Sequence, residues 1–281
     1  MRLLRWILAT LLLLAPFSAG ADIFLRVPVV TQIQGAVFYR TSMTIGNATG
    51  SQPVHILLRL TYRSPVDATI QSATLDAGLL AAYRTLYYED MIQKFKDEGL
   101  IRSADANSPL FGTLQVTFDA NGLSINECLA EARTYSPAPG GGTNGIAYVG
   151  RDTGIAGSEI IKAAVRNGTF GPDGTTRTNI GFVNEGTTGT DVDITYRDGA
   201  TGQVLKSFTL QNLAPGEVVQ LNRIFTDPAI PADTRTMIVR AQATANGGRI
   251  SGYAVQLDSV TNDGSFFLFA EEEDQCVYTP G

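Results

Sequence analysis

Apolar and polar residues alternate with a period of two along much of this chain. Val54, Ile56, Leu58, Leu60 and Tyr62 fall on one side of an extended ribbon, with His55, Arg59, Thr61 and Arg63 on the other. Leu114, Val116 and Phe118 alternate with Gln115 and Thr117, and Val192, Ile194 and Tyr196 alternate with Asp193, Thr195 and Arg197. Tyr253, Val255 and Leu257 alternate with Ala254, Gln256 and Asp258. Successive side chains of a strand point to opposite faces, so the pattern predicts antiparallel strands with one face on a core and one in water. Turn-forming residues separate them: Asn47-Ala48-Thr49-Gly50, Asp198-Gly199, Ala214-Pro215-Gly216, Asn246-Gly247-Gly248 and Asn262-Asp263-Gly264. Many short strands punctuated this way predict an all-β sandwich rather than an α/β fold. From Tyr83 to Leu100 the pattern breaks, with no Gly or Pro before Gly99 and with Asp90 and Gln93 spaced as a helix cap and its return partner. This predicts a short inserted helix over about residues 83–98, with a smaller equivalent around Arg223 to Asp227.

The second half of the chain retells the first. Arg40-Thr41 followed by Asn47 recurs as Arg177-Thr178 followed by Asn184, and Thr61-Tyr62-Arg63 recurs as Thr195-Tyr196-Arg197. Leu75-Asp76-Ala77-Gly78 is echoed by Leu213-Ala214-Pro215-Gly216. A period this long, with its landmarks in order, reads as two copies of one domain rather than a solenoid. Ser136 to Thr143 is linker-like in composition. However, Asn144-Gly145 leads into Ile146, Tyr148 and Val149 as Asp263-Gly264 leads into Phe266, Phe267 and Leu268. That parallel puts residues 136–143 in the last hairpin of the first domain. The expected division is a signal peptide over 1–21, a first sandwich over 22–149, a linker over 150–158 and a second sandwich over 159–281 with an acidic tail.

Val27-Pro28-Val29-Val30, Gly35, Arg40-Thr41 and Asn47 form an opening motif, Leu213-Ala214-Pro215-Gly216-Glu217 a turn, and Arg133-Thr134-Tyr135 a late arginine–tyrosine motif. In these the chain resembles bacterial exported proteins built from tandem immunoglobulin-like β-sandwich repeats. Ser42 and Asn179 stand where an aspartate is common in that group, and Val255-Gln256-Leu257 replaces the late motif in the second copy. The resemblance implies export and two tandem immunoglobulin-like antiparallel sandwiches, with no activity attached.

Arg2 and Arg5, the apolar run from Ile7 to Leu14, and the small residues Ala19-Gly20-Ala21 before Asp22 have the layout of a secretory signal peptide. The apolar run is too short for a membrane span. The expected destination is secreted or periplasmic, with no membrane insertion after cleavage. The 281-residue chain has a net charge of −6, which argues against nucleic acid or anionic lipid as a partner, because both require clustered Lys and Arg. Its two cysteines, Cys128 and Cys276, are not equivalent between the copies. They either pair, tying the tail to the first domain, or remain free or intermolecular.

Candidate chemistry is sparse. His55 is the sole histidine and has no metal-ligating or nucleophilic partner at motif spacing, so it reads as an exposed strand residue. Glu271-Glu272-Glu273-Asp274 runs along a strand end, where consecutive side chains diverge, and reads as a solvated tail rather than a calcium site. Arg40, Thr41, Asn47, Arg177, Thr178 and Asn184 are the signature of the repeat. An Arg entering a strand can bond a loop carbonyl or carboxylate and an Asn closing it suits an Asx turn, so these six read as structural. No catalytic, cofactor or metal residues are assigned. The expectation is a secreted, non-catalytic structural or binding module with a protein or glycan partner at the cell surface, contacted through loops at the sheet ends. The alternatives are a secreted hydrolase, of glycans or another substrate, using an unidentified carboxylate pair, or a subunit of a surface fibre or adhesin joined through an exposed strand edge.

Overall fold

The computed structural model describes residues 22–35, 37–120, 122–138, 140–151, 155–156, 160–167, 176–244, 248–258 and 264–271. The expected signal peptide, Cys276 and the acidic run beyond Glu271 lie outside these residues. The first half contains β1 (Ile23–Gln34), β2 (Phe38–Asn47), β3 (Val54–Arg63), β4 (Ile70–Leu80), β5 (Arg84–Tyr88), the helix α1 (Met91–Asp97), β6 (Leu110–Asp119), β7 (Cys128–Pro137) and β8 (Thr143–Val149). The second half contains β9 (Ile155–Ala156), β10 (Ile161–Arg166), β11 (Thr176–Asn184), β12 (Thr190–Asp198), β13 (Val204–Leu213), β14 (Val218–Leu221), β15 (Thr236–Ala243), β16 (Arg249–Asp258), β17 (Gly264–Leu268) and β18 (Ala270–Glu271). The described strand pairs are antiparallel throughout, and the fold is an all-β sandwich architecture.

In the first half one sheet folds over on itself at the β1–β2 hairpin, where only Gln32, Ile33 and Gln34 pair across. The layer β4-β3-β6-β1 then faces β2-β7-β8, with β5 on the free side of β2. Val27, Met43, Ile45, Leu58, Leu60 and Leu114 close the space between the layers. The second half follows the same order in two separate sheets: β13-β12-β15-β10, extended by β18, and β14-β11-β16-β17. Ile161, Ile180, Phe182, Ile194 and Val239 form its own core. Tyr62 and Tyr196, at matching places near the ends of β3 and β12, are both buried.

Two local expectations change. The helix is confined to Met91–Asp97, with Asp90 as its cap accepting from the Gln93 amide at 3.0 Å. It buries Met91, Ile92 and Phe95 and ends as the Leu100 amide bonds the Phe95 carbonyl. The expected first turns, from residue 84 to 88, are instead strand β5. Leu86 turns partly inward while Thr85 and Tyr87 are exposed, a period of two that the open edge of β2 stabilises in an aromatic-rich segment. In the second half, the smaller equivalent is a 3-10 turn over Ile224–Thr226. The echo between Leu75–Gly78 and Leu213–Gly216 does not survive either. Gly78 lies inside β4 beside a bulge, whereas Gly216 follows β13 in a turn. The structural counterpart of Gly216 is Tyr83, which follows β4 and also has a positive φ, of 56°.

The β7–β8 hairpin pairs Ser136 with Asn144 and Pro137 with Thr143, as expected of the described residues between 136 and 143. Within the segment expected as a linker, Arg151 bridges to Arg26 of β1 through two backbone bonds, and β9 pairs with β16.

The halves do not bury their cores independently. Tyr253, Val255 and Leu257 point out of the second sandwich and join the hydrophobic core of the first, together with Val183 and Val218. Ala254 and Ile250, on the opposite face of β16, belong to the second half's own core. β16 is therefore buried on both sides, and the side expected to face a domain core faces the other sandwich instead. The turn Leu213–Glu217 drives this docking. Thr113 donates to the Gly216 carbonyl at 2.6 Å, and Arg63 grips the buried Glu217 carboxylate with Nε at 2.8 Å and with Nη2. Gly216 has φ +74°, and a Cβ there would stand 3.1 Å from Thr61 Oγ1, so the turn requires glycine for both backbone and space. Beside it, Arg26 of β1 pairs with Glu185, whose second oxygen faces Ser251.

Candidate functional site

The docked sheets leave a cleft of about 410 Å³ between the sandwiches. One wall belongs to the first half: Val29, Thr31 and Ile33 of β1, Tyr39 of β2, Phe111 of β6, Thr134 of β7 and Ile146 and Tyr148 of β8. The other belongs to the second half: Arg177 and Asn179 of β11, Gln220 of β14, the following Asn222 and Arg223, Val255 and Leu257 of β16, and Phe266 of β17. Phe266 is tilted against Tyr148 at 5.0 Å and stacked on Tyr253 at 5.6 Å.

A polar seam crosses the first wall. Thr41 Oγ1 accepts from the Thr31 amide at 2.9 Å and lies 2.8 Å from Thr134 Oγ1, which in turn meets the Tyr148 hydroxyl. Burial pushes that hydroxyl up to about 12, so it stays protonated and serves only as a hydrogen-bonding group. On the second wall, Tyr253 lies across Gly181, whose place a Cβ would contest at 2.1 Å from the ring, and donates to Gln220 Oε1 at 3.0 Å. Asn179 Oδ1 accepts from the Arg223 amide at 2.9 Å. This bond holds Arg223 in the left-handed region, φ 53° and ψ 49°. A second, more open depression of about 690 Å³ lies beyond β8, among Tyr87, Glu131, Arg133, Arg151 and Phe267.

The repeat's signature residues divide between scaffold and cleft. Asn47 Nδ2 donates to the carbonyls of Gln52 and Leu80, both at 2.9 Å, while its Oδ1 accepts from the Thr49 amide at 3.0 Å. Asn184 repeats this arrangement with Thr188 and Leu213 at 2.8 Å and with the Gly186 amide at 2.8 Å. Both amides are buried and tie the end of one strand to the end of another. Thr41 belongs to the seam, and Thr178 donates to the Arg166 carbonyl at 2.7 Å. Arg40 pairs with Glu89 at 2.8 Å and lies 5.0 Å above the Tyr135 ring, with Arg133 at 5.4 Å from the same ring. Arg177, its counterpart, lines the cleft.

The remaining candidates lie apart from the cleft. His55 bonds Asp76 at 2.7 Å on an exposed strand surface; the Gly78 amide and His55 together lower the carboxyl of Asp76. Cys128 is buried with its thiol facing the Ser124 carbonyl, and burial, reinforced by Glu127, pushes it up to about 11, which leaves it an unreactive thiol. Its pairing with Cys276 lies outside the described residues. Among the described residues no cluster of three or more His, Cys, Asp or Glu could hold a metal ion. Two carboxylates meet at Arg102, which bonds Asp67 at 2.7 Å and Asp105 at 3.0 Å. Asp105 also accepts from Ser64 and Tyr62, so its oxygens are engaged in a structural knot.

The cleft was missed at the level of sequence because its walls are sheet faces rather than loops. The usable signal was the loss of polar groups at Val255 and Leu257, where the first half carries the charged Arg133 and the hydroxyl-bearing Tyr135.

No protein-family model matches the chain, and no curated protein matches it. Among solved structures, one similar chain is a protein from Parabacteroides distasonis ATCC 8503 proposed to be secreted. It shares 9% identity over 83% of this chain and 87% of its own, with a TM-score of 0.21. That score is too low for the likeness to bear on topology, and the strand pairing alone defines the fold. No described helix is long and apolar enough to cross a membrane.

Proposed function

We propose that this chain is an exported, non-catalytic binding module, secreted or periplasmic, made of two tandem immunoglobulin-like sandwiches from a duplicated unit. The recurrence of strand order and the matched hydrogen bonds of Asn47 and Asn184 support the duplication. The observation that carries the binding role is the cleft of about 410 Å³, built jointly by both halves. Its volume is within the usual range of small-molecule sites, and its apolar surface with a few placed polar groups is their usual composition.

The test compares wild type with Ile33→Trp, which fills the cleft from its rim, in a thermal-shift screen of small molecules. Compounds that raise the melting temperature of wild type but not of the variant support the reading. Equal shifts in both proteins, or no shift with any compound, overturn it, and turnover of a glycan or ester substrate by the purified chain would favour a hydrolase. Export predicts a mature N-terminus at Asp22, read by intact mass of protein recovered from outside the cytoplasm.

A further inference from the structure

Taking the cleft as a binding site, we infer that its ligand is a small amphiphilic carboxylate: an apolar body of acyl or aryl character with one anionic head. Three observations lead there. The first is charge. The chain is acidic overall, with 27 Asp and Glu against 21 Lys and Arg, yet among the described residues the charged ones lining the cleft are Arg177 and Arg223. A cationic cleft on an anionic protein draws an anion and repels cations.

The second is the state of Arg223. Arg26, Arg40, Arg63 and Arg102 each pair with a carboxylate. Arg223 has no such partner among the described residues, and its side chain stands at the exposed mouth of the cleft. Its backbone occupies the left-handed region, which is unfavourable for a residue with a Cβ and is kept where the surrounding structure enforces it. The enforcing group is Asn179, itself a buried cleft residue. Asn179 is a neutral amide, so it holds the Arg223 backbone N–H without neutralising the guanidinium.

The third is the floor. Val29, Ile146, Val255, Leu257 and Phe266 offer an apolar surface behind the arginines. An inorganic anion would leave that surface hydrated, whereas an acyl or aryl body covers it. A guanidinium donates two parallel hydrogen bonds to a carboxylate, so the head sits at Arg223 and the body lies along the apolar floor.

The experiment uses the full mature chain, with decanoate and 2-naphthoate as carboxylate probes and decanol and 2-naphthol as neutral counterparts, read by calorimetry. At least one carboxylate should bind tenfold or more tightly than its neutral counterpart. Arg223→Asn keeps a residue that tolerates the left-handed backbone but removes the charge, and should abolish that preference without weakening the neutral compound. Arg223→Gly should abolish it too while raising the melting temperature of the ligand-free protein, a gain that a purely structural arginine would not give. Equal binding of charged and neutral probes overturns the carboxylate assignment while leaving the binding cleft intact. Absence of carboxylate binding overturns the assignment; if Ile33→Trp then also leaves every screening response unchanged, the cleft reading fails with it. Full carboxylate preference in Arg223→Asn removes Arg223 from the site and overturns the inference.

Discussion

The outer face of β2 and β7 in the first half and that of β11 and β16 in the second occupy the same place in one strand plan, but they have opposite fates. In the first half this face presents Arg40, Glu131, Arg133 and Tyr135, with the two guanidinium groups over the Tyr135 ring. The matching positions in the second half are Arg177, Tyr253, Val255 and Leu257, and the last three are buried against the first sandwich. With Tyr253 and Val255 in place of the charged Glu131 and Arg133, and Leu257 in place of Tyr135, the second face is adhesive, because burying apolar area is favourable only where no charge must be dehydrated with it. The arginine that remains, Arg177, is left at the margin of the contact, where the cleft opens. One strand order thus occurs in both halves, and the difference on one face forms both the joint between them and the candidate site.

The sharpest way to break this comparison is to exchange the faces. Tyr253→Glu, which installs the residue found at position 131, should cost about 3–5 kcal/mol in urea unfolding, because it buries an unpaired charge. The reciprocal Glu131→Tyr should change stability by less than about 0.5 kcal/mol. Similar losses from both would mean that the two faces are equally buried in solution. Next in size are Asn47→Ala and Asn184→Ala, each expected to cost about 1–3 kcal/mol, since each strands buried carbonyls and an amide. A loss seen at only one of them would deny the equivalence of the two strand ends.

The turn after β4 and the turn after β13 sharpen the comparison further. Gly216→Ala should destabilise by about 1 kcal/mol or more, since it combines a positive φ with contact against Thr61. Tyr83→Gly, at the exposed counterpart, relieves the same backbone strain with little packing lost and should leave stability unchanged or slightly higher. A large loss at Tyr83 would show that its ring, near Gly50, carries weight.

The smallest effect at neutral pH is the titration of one carboxylate in each half. Burial raises Asp105, but the bonds from Arg102 and Ser64 outweigh it and the carboxyl ends below its usual value. The stability it contributes is present above the unfolded carboxylate value and lost as pH falls toward the folded one. Glu185 is the reverse: burial lifts it despite the charge of Arg26 and the bond from Ser251. Protonation then favours the folded state, so its contribution falls as pH rises through the lifted value. Denaturant melts across the carboxylate range should therefore show a weaker acid loss in Asp105→Asn and a removed decline in Glu185→Gln. Unchanged pH profiles would contradict both assignments.

Strand identity was legible residue by residue. The faces of β3, β6 and β12 follow the period of two in the sequence, and Val54, Ile56, Leu58, Leu60 and Tyr62 are all buried as that period requires. The cap at Asp90 was legible too, because capping depends on a few neighbouring atoms. β5 was not: a five-residue stretch of mixed polar and aromatic residues suits helix or strand until the open edge of β2 decides. The echo at Leu213–Gly216 misled because a shared Leu and Gly carry no record of their partners across the sheet. The candidate site was the least legible part. Arg177 could be noticed as a signature residue, but Asn179 and Arg223, 44 positions apart, meet only through the pairing of β11 with β14 and the turn that follows.

From the sequence alone followed whatever depends on neighbours along the chain: the alternation that makes strands, the turns that end them, the helix cap and the recurrence of one plan. Tertiary structure alone decided which apolar face met water. Tyr253, Val255 and Leu257 read as a sandwich's own core because alternation states only that one face is hydrophobic, not whose core it enters. That choice is made by long-range complementarity, in which the turn at Gly216 and Glu217 seats one sandwich on Thr113 and Arg63 of the other.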